Sequence, residues 1–244
     1  MKKLCILLLS LMTLLRVTFA GESPYFFNTY EKAKAEFDRF TQNYDGAVSR
    51  ERYEIPSEGE EKLSIDTAYF PPITGIQEKL MIVSSGIHGI ESYAATGIQL
   101  MILKELLPHF NREKTGILII HGINPWGFKH KRRGTENNID LNRSFLKDRS
   151  NIENLNPQYK FAHGFAAPSG LASWSLWGGI KHFFSALLGF GRYGKKEFRS
   201  ALVSGQYLFP KGIMYGGKRS EPHEEILLRI FKKKYWKDLK LPSY

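Results

Sequence analysis

Apolar and polar positions along this chain change period several times, and the changes predict an α/β order of elements. Between Tyr25 and Tyr44 apolar residues recur at helical spacing (Tyr30, Ala33, Phe37, Phe40), which predicts a helix covering one face of a domain. Val48–Ile55 and Leu63–Phe70 alternate instead, as two antiparallel strands do, and PSEGEEK between them supplies a charged turn with Gly59 at its tip. Leu80–Val83 is an unbroken apolar run ended by serines and a glycine, which predicts a strand over Lys79–Ser84 buried on both faces of a parallel sheet. A helix is predicted over Ala94–Leu107 and a second strand over Gly116–His121, giving a strand–helix–strand unit long enough for a parallel crossover. The polar, turn-rich stretch FKHKRRGTENNIDLNRSF then predicts a long irregular loop at the same sheet end as the turn after Ser84. Further helices are predicted over Ile180–Leu188, Lys196–Tyr207 and Pro222–Lys234.

Composition refines this picture. With 244 residues, 42% hydrophobic and 14% aromatic, the chain is rich enough in apolar residues for one sizeable globular domain. Residues 1–20 are different in kind. Lys2 and Lys3 precede an apolar run from Leu4 to Leu15, and Thr18-Phe19-Ala20 offers small residues before Gly21. That order predicts a secretory signal peptide, cleaved after Ala20 and leaving 21–244 as a single domain, exported to a periplasm or the exterior. The lone cysteine, Cys5, lies in that segment, so the mature chain carries no thiol or disulfide, which suits an oxidising compartment.

The net charge is +11, of which Lys2, Lys3 and Arg16 supply three, leaving +8 on the mature part. The basic clusters are scattered and no aromatic-interleaved motif accompanies them, so a solvated basic face is expected and no nucleic-acid partner. A peripheral contact with an envelope through the aromatic Trp174–Phe190 stretch is a further expectation.

The candidate chemistry sits in SSGIHGIE, where His88 and Glu91 follow the Lys79–Ser84 strand. Ligands of open α/β sheets bind at the carboxyl ends of strands, and imidazole and carboxylate are two of the side chains that hold catalytic zinc. A His-x-x-Glu pair alone is weak, since Glu91 also suits the amino end of a helix through its dipole. Further on come Asn124-Pro125 and Asp140-Leu141-Asn142-Arg143, and later SGQYLFPKGIMYGG. In this order the features resemble the zinc carboxypeptidase superfamily, over roughly Leu80 to Gly217. The resemblance looks closest to a bacterial branch near the succinylglutamate desuccinylase and aspartoacylase relatives.

That resemblance implies that His88 and Glu91 are zinc ligands and that Arg132 or Arg133 stabilises an oxyanion at the scissile carbonyl. It also implies that Asn142 and Arg143 hold a substrate carboxylate, a role that suits a guanidinium fork. Alternatively the arginines form a solvated loop that answers Glu136 and Asp140. The implied activity is zinc-dependent hydrolysis of a peptide or N-acyl amino acid beside a free carboxylate.

The family's third zinc ligand, a histidine in a motif resembling Asp-x-His-Thr-Gly, is not found here, nor is its later catalytic glutamate. His130, His163, His182 and His223 end no apolar run of the right kind, and His121 is expected to be structural. The chain ends at Tyr244, where later strands are expected to begin. The expected fold is therefore a partial zinc-carboxypeptidase-like α/β domain, a mixed sheet with flanking helices and its late strands missing. Activity is expected to be absent or impaired, and the alternative is a non-catalytic remnant or carboxylate-binding module of the envelope.

Overall fold

A computed structural model describes residues 24–44, 48–57, 61–166 and 194–232, with isolated positions between 180 and 191. The expected signal peptide and most of the aromatic 174–190 stretch lie outside the described residues. Among the described residues no helix is long and apolar enough to cross a membrane.

Four strands form one mixed sheet: β1 (Ser49–Ile55), β2 (Leu63–Phe70), β3 (Lys79–Ser84) and β4 (Thr115–His121), in the order β1-β2-β4-β3. β1 and β2 pair antiparallel, as their alternation predicts, with Ile55 opposite Leu63. β2 also pairs antiparallel with β4, and β3 runs parallel to β4 with Val83 opposite Ile119. Between β3 and β4 the chain crosses through α2 (Ser92–Met101), continued by a π-helical turn and a short 3₁₀ turn to His109.

Alternation along the strands sends side chains into two cores. On one face Ala68, Phe70, Ile117 and Ile119 pack with Phe37 of α1 (Tyr30–Gln42) and with Leu100, Leu103 and Leu107. On the other, Ile65, Leu118 and Ile120 pack with Ile226, Leu227 and Ile230 of a late helix, Pro222–Phe231. Each such fully buried side chain contributes about 1.5–3 kcal/mol, so the three layers hold one another. The start of α1 is fixed by Thr29, whose hydroxyl accepts from Lys32 N at 3.3 Å.

Three expectations need correction. β3 is the edge of the sheet among the described residues, so Leu80–Val83, although Leu80 and Ile82 pack into one core and Met81 and Val83 into the other, stay partly exposed instead of fully buried. The loop after β4 is not wholly irregular, because two short helices interrupt it: α3 (Pro125–Lys129) and α4 (Leu141–Ser144). The expected 196–207 helix runs over Lys195–Val203 and stops there. Gln206 instead bridges to Tyr215 in extended backbone.

Candidate metal and carboxylate site

The site is built where β3 and β4 end side by side. Ser85 N donates to Ile120 O at 2.9 Å, Ile123 N to Ser85 O at 3.0 Å, and Asn124 N to Gly86 O at 2.8 Å. These bonds lace the two strand exits together. Gly86 has φ 76°, in the left-handed region, and a side chain there would collide with Ser92 Oγ. The turn therefore needs glycine, and it delivers His88 at the mouth of the sheet.

The Asn-Pro turn after β4 holds that turn from beneath. Asn124 caps α3 by accepting from Gly127 N at 2.9 Å, and its amide donates to Arg133 O at 3.2 Å. The carbonyls of Arg133 and Arg132 in turn accept from Gly89 N at 3.2 Å and Ile90 N at 2.8 Å. The arginine doublet thus serves first through its backbone, as the support of the residues between His88 and Glu91. Gly89 lies so near that a Cβ would collide with the Gly127–Phe128 backbone.

Four side chains converge here. His88 Nδ1 lies 3.0 Å from Glu91 Oε1, and His88 Nε2 lies 3.1 Å from Asp140 Oδ1. Arg133 Nε donates to Asp140 Oδ2 at 3.1 Å, and another of its guanidinium nitrogens is 3.7 Å from Glu91 Oε1. Asp140 is buried and caps α4 by accepting from Asn142 N at 3.0 Å. His88 is buried as well, whereas the Glu91 side chain is 59% exposed, so the cluster opens on its Glu91 side.

The structure separates the two arginines that the sequence left as alternatives. Arg133 joins the cluster, while Arg132 is exposed and joins no ion pair among the described residues. Asn142 is exposed on α4. Arg143 stands one turn beyond Asp140, with one guanidinium nitrogen donating to Asn142 O and another to Val203 O, both at 3.0 Å. Its Nε is buried without a hydrogen-bond partner among the described residues. Tyr207 donates to Arg143 O at 2.8 Å, which explains why the QYLFPKGIMYGG stretch belongs to the site: it backs α4. No contact joins Arg143 to His88 or Glu91 among the described residues.

Sequence reasoning gave Asp140 no role at the histidine. The available signal was its place as the cap residue of the short Leu-Asn-Arg-Ser helix, which fixes a buried carboxylate.

The donor chemistry tests whether a metal ion fits. A neutral imidazole has one N–H and one lone pair, yet His88 faces a carboxylate oxygen from each nitrogen. Either tautomer leaves two acceptors face to face, and that contact needs a cation between them, a proton or a metal ion. With Nε2–H given to buried Asp140, the Nδ1 lone pair and Glu91 form a two-donor edge open to solvent, which fits a zinc ion. The donor types fit and the ligand count does not, since a catalytic zinc site takes three protein ligands and keeps a fourth position open. Among the described residues no group of three or more His, Cys, Asp or Glu side chains could hold a metal ion.

A family model described as "Protein of unknown function (DUF2817)" matches residues 26–240. No curated protein matches the chain. Among solved structures it is similar to an aspartoacylase family protein from Mesorhizobium loti, with 26% identity, 42% of this chain covered and 32% of that one, and a TM-score of 0.33. It is also similar to a putative carboxypeptidase A from Shewanella denitrificans, with 16% identity, 50% and 33% covered, and a TM-score of 0.39. A putative metallopeptidase from Shewanella baltica shows 18% identity, 65% and 50% covered, and a TM-score of 0.33. The chain spans about a third of the length of the first two. At TM-scores this low, the likenesses carry no functional weight.

Proposed function

The chain belongs to the DUF2817 family, and on that premise we propose that its His88–Glu91 turn is the metal-binding edge of a zinc-carboxypeptidase-like hydrolase site. The substrate class is a peptide or N-acyl amino acid with a free carboxylate, met outside the cytoplasm after export through residues 1–20. The observation that supports this most is the placing of His88 between Glu91 and Asp140.

In this reading Glu91 and the Nδ1 of His88 hold the ion. Bound there, zinc supplies a Lewis acid and a water of lowered pKa. The protein's own groups do the rest. Asp140 accepts a hydrogen bond from the Nε2–H of His88, which fixes the ring's tautomer and turns its lone pair outward. Arg133, held by Asp140 and 42% exposed, presents its remaining N–H groups where charge would develop on a carbonyl oxygen. Asn142 and Arg143 offer donors for a carboxylate. No bond-breaking step is assigned, because only two metal donors converge among the described residues.

That same two-donor count favours a second reading: a non-catalytic module that keeps carboxylate recognition without turnover. Metal analysis of the purified chain separates the two. One bound zinc, lost in His88→Ala, supports the metal site, and a dipeptide and N-acetyl amino acid panel then tests hydrolysis. A chain that takes up no zinc from a stoichiometric supply overturns the metal-dependent reading.

A further inference from the structure

The loop between Arg133 and Asp140 has a second face, away from His88. There Glu136 and Asn137 line a cavity of about 270 Å³, with Glu221 and His223 completing its polar wall and Trp126 and Pro222 part of its apolar wall. This volume equals about nine waters at roughly 30 Å³ each, the size of a small organic ligand.

Two observations point to the kind of ligand. The chain as a whole carries +11, yet the cavity is lined by two carboxylates and by no lysine or arginine among the described residues. Asn137 donates to Glu221 Oε1 at 3.2 Å, and Ser57 Oγ lies 3.4 Å from Glu136 Oε1, so each acid has a neutral group on one of its oxygens. Burial pushes the Glu221 carboxyl up, but the nearby His223 imidazole and the hydrogen bond from Asn137 outweigh it and hold the group below its ordinary value, hence ionised. Independently, His223 is 3% exposed and neither ring nitrogen has a hydrogen-bond partner among the described residues. Its Nδ1 lies 3.6 Å from Glu221 Oε2, beyond hydrogen-bonding range. Buried polar groups normally find partners, so an unbonded imidazole lining an acidic cavity marks a place built for a further polar group.

We propose that this cavity binds a small organic cation, a primary ammonium on a short apolar stem. The ammonium is answered by Glu136 and Glu221, and the stem lies against Trp126 and Pro222. The indole adds cation–π attraction as well as apolar contact. Its occupant would touch the turn closed by Asn138 N donating to Thr135 O at 2.9 Å, the link between Arg133 and Asp140. The cavity is thus a candidate effector site, distinct from the His88 cluster.

The test is titration of the full chain with butylammonium chloride against neutral 1-butanol, followed by calorimetry or by amide shifts of residues 135–137. Saturable millimolar binding of the ammonium alone is expected, a strength open to so few atoms. Glu136→Gln should weaken it about tenfold, the scale of one lost charge-assisted contact, and so should Glu221→Gln where its circular dichroism matches the parent. Glu221 also stands at a helix start, so Glu136→Gln decides the matter if the other variant misfolds. His88→Ala should bind butylammonium unchanged, which separates this site from the proposed metal edge. Equal binding of the alcohol, binding untouched by Glu136→Gln, or no saturable binding overturns the proposal.

Discussion

His88 Nε2 and Asp140 Oδ1 lie 3.1 Å apart although 52 residues separate them in the chain. This contact joins the β3 exit to the cap of α4, and so couples the candidate metal edge to the helix bearing Asn142 and Arg143. Removing the carboxylate frees the imidazole to rotate and to change tautomer. Asp140→Ala is expected to weaken zinc binding by about 10–100-fold, the usual scale for such outer partners. It should also cost about 1 kcal/mol through the lost cap. Competition with a chelating dye measures the first, and denaturant unfolding the second. Undiminished zinc affinity would show that Asp140 does not orient the ring.

Gly89 is pressed against the backbone of Gly127 and Phe128, where the neighbour cannot yield as a side chain would. Gly89→Ala is therefore expected to destabilise by upward of about 3 kcal/mol or to push His88 and Glu91 apart. Thermal unfolding and zinc titration read the two outcomes, and a variant matching the parent in both would refute the close packing.

His121 is fully buried, stacked on Phe37 at 4.3 Å between ring centres, with Nδ1 3.0 Å from Gln99 Oε1. Burial lowers its pKa from 6.5 to about 4, against a smaller raising effect of Asp66. The unfolded chain then binds a proton below pH 6.5 that the folded chain refuses until about pH 4. Stability from this group is complete above 6.5 and falls as pH drops through that window, by about 3 kcal/mol in all. Urea midpoints from pH 7 to 4 should show the slope, and His121→Gln should flatten it. A slope surviving that substitution would place the titration elsewhere.

Phe37 fills the core between α1 and the sheet at 1% exposure and also covers His121. Phe37→Ala should cost about 3–5 kcal/mol and make His121 easier to protonate, since water then reaches the ring. Histidine titration by NMR in this variant checks the second effect independently of the first.

Much of the scaffold was legible because local pattern and tertiary demand agree. β3 spans Lys79–Ser84 as its apolar run and closing small residues predict. Its edge position was not legible, because a run of apolar residues says that burial is favourable and not which neighbours are present to provide it. The two short helices were missed for a related reason. At five and four residues, α3 and α4 are too brief to show a period, and only their caps, Asn124 and Asp140, mark them. The arginine doublet illustrates another limit. Adjacent identical residues cannot be told apart by type, whereas the carbonyl contacts to Gly89 and Ile90 and the Asp140 partner distinguish them at once.

β3 is bonded along one side only among the described residues, and it is the strand that hands the chain to His88. A strand bonded on one flank is held by fewer backbone bonds than one bonded on both, so the spacing of imidazole and carboxylate depends on how firmly the β3–β4 seam holds. At the proposed metal edge, affinity for the ion would then gauge that seam, since whatever peels β3 from β4 would loosen the grip on the ion.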